Sequence, residues 1–121
     1  MAENDQAPAS CLRAELGGIV GQGWWPLLQE LETELAAICG DNNWVVEQVK
    51  QKFGTLRYYA LAPDGLELDQ KSEFNQAIYR AEKRSATTCE ECGQGGRLCS
   101  KSGAVRTLCC KCAAEQGYSS R

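Results

Sequence analysis

The chain has 121 residues, eight of them cysteine and none histidine, with 13 basic against 16 acidic side chains for a formal charge of −3. That length predicts one domain whose modest core needs a brace. The absence of histidine excludes Ser-His and Cys-His nucleophile pairs, histidine-bound metal nucleases and H-E-x-x-H metalloproteases, and 43% hydrophobic with 24% charged residues excludes a disordered or fibrous chain.

The chain opens Met1-Ala2-Glu3-Asn4-Asp5-Gln6, acidic and polar, without the basic and apolar blocks of a secretory leader. No apolar run approaches a membrane span. A cytoplasmic location is expected, where thiols stay reduced and clustered cysteines hold metal rather than form bridges. Residues 1–23 read as a flexible N-terminal segment in which Gly17-Gly18 and Gly21-x-Gly23 punctuate the chain. From there Trp24, Leu27, Leu28, Leu31, Leu35 and Ile38 recur at spacings of three and four, which predicts an amphipathic helix over 24–39. Pro26 falls in its first turn and Gly40 supplies a stop.

Trp44-Val45-Val46 and Leu56-Arg57-Tyr58-Tyr59 are β-prone, and Gly54 stands between them where a turn needs conformational freedom. A hairpin over 44–61 is expected, although Val46, Val49 and Phe53 also fit a helix face. Arg57-Tyr58-Tyr59 reads as sheet packing plus a solvated arginine. After the turn Ala62-Pro63-Asp64-Gly65, the stripe Phe74, Ala77, Ile78, Ala81 predicts a second helix near 69–86.

Six of the eight cysteines lie between Cys89 and Cys112. Cys89-Glu90-Glu91-Cys92 and Cys109-Cys110-Lys111-Cys112 form two C-x2-C pairs separated by 16 residues, the spacing of a tetrahedral zinc site. Two intervening residues let a tight turn aim both sulfurs at one ion. Gly93 permits the left-handed backbone of such a knuckle, whose N–H groups can donate to the thiolates. Arg97-Leu98-Cys99 and Val105-Arg106-Thr107-Leu108 flank Ser102-Gly103 as a short hairpin, and Cys112 to Gln116 has helical propensity ended by Gly117. Knuckle, hairpin and ligand-bearing helix describe a treble-clef-like layout, with a zinc ribbon as the alternative. The expected ligands of one structural Zn2+ are Cys89, Cys92, Cys109 and Cys112. Cys110 rivals Cys109, Cys99 could lie beside either, and the remote Cys11 and Cys39 read as plain thiols. Four thiolates leave no water position, which disfavours catalytic zinc.

The segment Val46-x-x-Val49-Lys50-x-Lys52-Phe53-Gly54-x-Leu56-Arg57-x-Tyr59, followed by Cys89-x-x-Cys92-Gly93 and Thr107-Leu108-Cys109-x-x-Cys112-Ala113, resembles small, largely uncharacterised proteins of bacteria and their phages. The likeness runs from about Trp24 to Tyr118, and the last ligand position, often histidine in that group, is Cys112 here. The resemblance implies the same four ligands, and phage association implies an accessory or inhibitor protein that binds a host component.

Charge is split along the chain. Residues 1–49 hold one basic and eight acidic side chains, a balance of −7, whereas residues 50–121 hold twelve and eight, a balance of +4. Arg84, Arg97, Lys101 and Arg106 are candidate phosphate or partner contacts beside the zinc unit; the alternative is that they balance the −2 of a zinc centre with four thiolates. Trp24 and Trp25, about 100° apart on the helix, read first as both buried against a small core; an exposed Trp25 is the candidate interface anchor.

These readings define an α+β single domain, helix–hairpin–helix over 24–86 with a four-cysteine zinc unit over 87–121 packed on it. The expected function is that of a non-enzymatic, zinc-stabilised protein-binding module, a phage-related accessory or inhibitor of a host complex such as a defence system. A nucleic-acid-binding zinc finger is the alternative. No small-molecule substrate and no membrane are expected.

Overall fold

Pro26 sets the start of the first helix because its fixed φ suits an opening turn that needs no N–H donor. In the computed structural model, which describes residues 20–40 and 43–121, helix α1 spans Trp25–Cys39. It is preceded by one 3-10 turn, Gln22–Trp24. Leu27, Leu28, Leu31 and Leu35 lie buried along one stripe, and Cys39 rather than Ile38 completes it. Gly40, at φ 63°, ends the helix with its N–H on the Ala36 carbonyl. Cys11, Gly17-Gly18 and the rest of residues 1–19 lie outside the described residues.

Strands β1 (Val45–Lys52) and β2 (Thr55–Leu61) form the expected antiparallel hairpin. Phe53 and Gly54 both have positive φ, 53° and 85°, as a two-residue turn matched to strand twist requires. The helical alternative for 46–53 fails because strand alternation already buries Val49, Leu56 and Tyr58 on one face. A register shift between Val46 and Gln48 bends the open end.

Helix α2 (Leu68–Ser85) opens with the Glu67 N–H on Gln70 Oε1 and buries Phe74, Ala77, Ile78 and Ala81. Two of its polar side chains cover the outer edge of β2: the Leu56 N–H donates to Ser85 Oγ at 2.9 Å and the Tyr58 N–H to Glu82 Oε2 at 2.9 Å. Trp24, Leu28, Leu35, Leu56 and Phe74 fill the centre between α1, α2 and the hairpin. Each such side chain contributes about 1.5–3 kcal/mol on burial. Arg84–Glu30 and Arg80–Glu34 ion pairs link the two helices at their exposed side.

After the knuckle at 89–93 come β3 (Arg97–Lys101), β4 (Ala104–Leu108), α3 (Cys110–Gln116) and β5 (Ser119–Ser120), with sheet order β4-β3-β5. Ser102 and Gly103, at φ 49° and 90°, form a second two-residue turn. Gly117, at φ 78°, caps α3. This is the treble-clef-like order. The ribbon alternative needs strand where α3 stands, and α3 begins two residues earlier than its propensity suggests. A small cluster of Cys89, Cys99, Leu108, Cys112 and Ala113 forms its interior. Among the described residues no helix is long and apolar enough to cross a membrane.

Candidate metal centre

The knuckle turn delivers Cys89 and Cys92, and the end of β4 together with the first turn of α3 delivers Cys109 and Cys112. Their four sulfurs all lie within 4.8 Å of one another. For metal–sulfur bonds of about 2.3 Å, a regular tetrahedron sets its sulfurs about 3.8 Å apart. The Cys92–Cys109 separation is 3.7 Å, far too long for a disulfide. None of the described cysteines is bridged. The donor set fits one thiophilic ion with all four positions filled by protein.

The rival thiols fall elsewhere. Cys110 is exposed on the outer side of α3. Cys99 is buried, its thiol directed at the carbonyls of Arg97 and Leu108. Cys39 lies in the main core, where burial pushes its thiol above the usual range.

Inside the cage, protonation is uneven. The Cys112 N–H donates to Cys109 Sγ at 3.4 Å and holds that thiol down to about 7. Burial, followed by the adjoining thiols of Cys109, Cys89 and Cys92, pushes Cys112 well up. The Gln94 N–H pulls Cys92 down, but burial and the Cys89 and Cys109 thiols leave it above its ordinary value. Gly93 has the expected positive φ of 86°, yet its own N–H bonds to the Cys89 carbonyl rather than to a sulfur. Only a cation stabilises several thiolates this close. Thiols whose values lie above 7 bind as thiolates only by losing protons, so affinity falls with falling pH. Zinc uptake at pH 7 is expected to release at least two protons per chain, one each from Cys92 and Cys112. A pH indicator in weak buffer reads this, and release of fewer contradicts it.

The surroundings of the cage are more elaborate than the cysteine spacing suggested. Glu90, inside the first C-x2-C pair, is buried and joins three parts of the chain. Its carboxylate accepts from the Gly21 N–H at 3.0 Å and from Arg106 Nε at 3.1 Å. Its carbonyl accepts from the Gly23 N–H at 2.7 Å, and its N–H donates to the Thr107 carbonyl at 2.9 Å. The Trp24 indole N–H reaches the Thr88 carbonyl at 2.8 Å. Val20 to Gly23 are thus part of the packed structure rather than flexible punctuation. On the other side Thr107 Oγ1 donates to the Gly54 carbonyl at 2.8 Å and Gln51 Nε2 to the Val105 carbonyl at 3.0 Å, seating the β3–β4 hairpin on the β1–β2 turn.

The basic residues proposed as contacts are mostly engaged within the chain. Arg106 is held by Glu90, Glu91 and Gln116, and its guanidinium keeps the Glu91 carboxyl below the usual range. Arg84 pairs with Glu30 at 2.6 Å. Lys101 Nζ donates to the Gln116 carbonyl at 2.9 Å, at the C-terminal end of α3 where a cation is favoured. Arg97 makes a long contact to Ser120. Trp25 is half-buried and lines an open cleft of about 700 Å³ with Gln22, Gly23, Pro26, Gln29, Glu91 and Cys92. Its indole nitrogen is buried and has no hydrogen-bond partner among the described residues. No protein-family model matches the chain, and no curated protein or solved structure matches it.

Proposed function

We propose that the protein is a non-enzymatic, zinc-stabilised protein-binding module of the cytoplasm, a phage-related accessory or inhibitor protein that acts on a host protein complex such as a defence system. The observation that carries this reading is the cleft where α1 meets the cysteine knuckle. There Trp25, half-buried and of a residue type favoured as an interface anchor, lines the opening together with Cys92. Zinc is the ion that best suits four thiolates in tetrahedral array. Four protein ligands leave it no open position for water or substrate, so its work is to hold the knuckle in place. The unbridged cysteines suit a reducing compartment.

The test is capture from host lysate by the zinc-loaded protein, side by side with Trp25→Ala. A partner retained by the parent and lost from the variant, at equal zinc content and melting temperature, supports the reading. Equal capture by both, or no stable protein partner, refutes it.

A further inference from the structure

Alternation in the β1–β2 hairpin turns one face to the core and the other to solvent. The outward face is built from the cross-strand pairs Val45–Leu61, Gln48–Tyr59, Lys50–Arg57 and Lys52–Thr55, with Phe53 at the turn. No acidic side chain belongs to these pairs, and the one carboxylate on the two strands is Glu47, exposed at the register shift between Val46 and Gln48. Lys50 and Arg57 stand directly opposite each other, an arrangement that costs stability. Among the described residues, Arg80, Arg84 and Arg106 have carboxylate partners and Lys50, Lys52 and Arg57, like Lys71, Lys83, Arg97, Lys101 and Lys111, have none; the three differ from the others in standing together on one sheet face. In a chain of net charge −3, three unpaired cations on one face form a local excess that folding does not require.

The aromatic residues on this face are equally unsheltered. Tyr59 is 41% exposed and Phe53 is 71% exposed. Phe53 also sits at φ 53°, a region unfavourable for a bulky side chain. Lys50 Nζ lies 5.7 Å from the Tyr59 ring centre and Lys52 Nζ lies 5.8 Å from that of Phe53. Both are at the outer limit of a cation–π contact, where little is lost if the ammonium moves to a better anion. Lysines alone would serve to discourage edge-to-edge pairing, but that role calls for neither an opposing arginine nor exposed rings. Breaches of local design rules gathered at one place point to function.

We propose that this face binds single-stranded nucleic acid, with Lys50, Lys52 and Arg57 holding phosphates while Tyr59 and Phe53 stack bases. Alternate residues on one strand stand about 6.7 Å apart, so Lys50 and Lys52 present their charges in a row along an extended backbone. A duplex suits the face poorly. Its paired bases leave no π-face for the two rings, and a hairpin buried on one side and covered by α2 along β2 cannot sink into a groove. The site lies on the hairpin rather than beside the Trp25 cleft and does not depend on the protein-binding reading.

The test is fluorescence anisotropy of the zinc-loaded full chain with a labelled mixed-sequence single strand of roughly twelve nucleotides. Three phosphate contacts predict that log affinity falls against log salt with a slope of about −2. Lys50→Ala with Arg57→Ala should weaken binding at least tenfold in low salt and bring the slope to about −0.7. Tyr59→Ala should weaken binding by about tenfold with the slope unchanged, while Tyr59→Phe retains it. Arg97→Ala, outside the face, should bind as the parent does, and equal melting temperatures and zinc content exclude unfolding as the cause. Three outcomes overturn the proposal: no binding in low salt, a duplex bound as tightly as the single strand, or variants that bind like the parent. Displacement of the strand by polyglutamate at equal charge concentration also overturns it, in favour of an acidic protein.

Discussion

Cys89→Ser is expected to abolish stoichiometric zinc binding and unfold the C-terminal unit, whereas Cys110→Ser keeps one ion per chain and the parent's melting temperature. Cys89 is fully buried, and its N–H is fixed to the Gln94 carbonyl at 2.7 Å. A serine there offers the ion a poor ligand and leaves a hydroxyl in an apolar cluster of only five buried residues. Such a cluster is far too small to fold unaided. Structural zinc contributes about 10–16 kcal/mol of apparent binding free energy in small domains, comparable to the whole stability of a domain, about 5–15 kcal/mol. The loss therefore reaches the fold as well as the metal. Cys110 is exposed and outside the sulfur cluster, so its replacement changes nothing the cage uses. Metal content per chain and circular dichroism distinguish the two. Zinc kept by Cys109→Ser but lost from Cys110→Ser would transfer the ligand role to Cys110.

The elements that the sequence revealed are those whose signal is local. The leucine stripe of α1, the Phe74–Ala81 stripe of α2 and the C-x2-C spacing each repeat within a turn or two, and each appears where its period places it. The helical fit of Val46, Val49 and Phe53 stood as an alternative to the expected hairpin for the same reason: three apolar positions match two periods, and only the partner strand decides between them. The pairing of the basic residues is not local at all. Arg84 finds Glu30 from 54 positions away, and Arg106 finds Glu90 across the knuckle. Within a cluster that looks cationic in the sequence, Arg84 and Arg106 are therefore neutralised in space, while the less conspicuous Lys50, Lys52 and Arg57 have no carboxylate partner among the described residues. Tyr58 and Tyr59 are adjacent in sequence yet face opposite sides, one in the core and one in solvent. Glu90 gave no sequence signal as a junction, because its partners Gly21 and Gly23 are defined only by the close approach of two distant backbones.

That approach makes Gly23→Ala the most disruptive change predicted outside the cysteines. A Cβ at Gly23 would lie 2.3 Å from the Cys89 carbonyl oxygen and 2.6 Å from both the Glu90 oxygen and the Gly93 nitrogen. All three are backbone atoms of the knuckle itself, so no flexible side chain can yield. Either the turn opens, separating Cys89 from Cys92, or the 21–23 segment withdraws. Withdrawal breaks the hydrogen bonds from the Gly21 and Gly23 N–H groups to Glu90 and from Trp24 to Thr88, at about 1 kcal/mol each, and it loosens a fully buried tryptophan. A loss of about 3–5 kcal/mol follows, which lowers the melting temperature of a domain this size by roughly 10–20 °C. Because the strain falls on the metal-bearing turn, zinc should also pass to a competing chelator faster than from the parent. Gly95→Ala is the matched control, since a Cβ there meets nothing within 4 Å. If Gly23→Ala melts and releases zinc like Gly95→Ala, the N-terminal segment does not bear on the knuckle, and the metal centre is held by the β3–β4 hairpin and α3 alone.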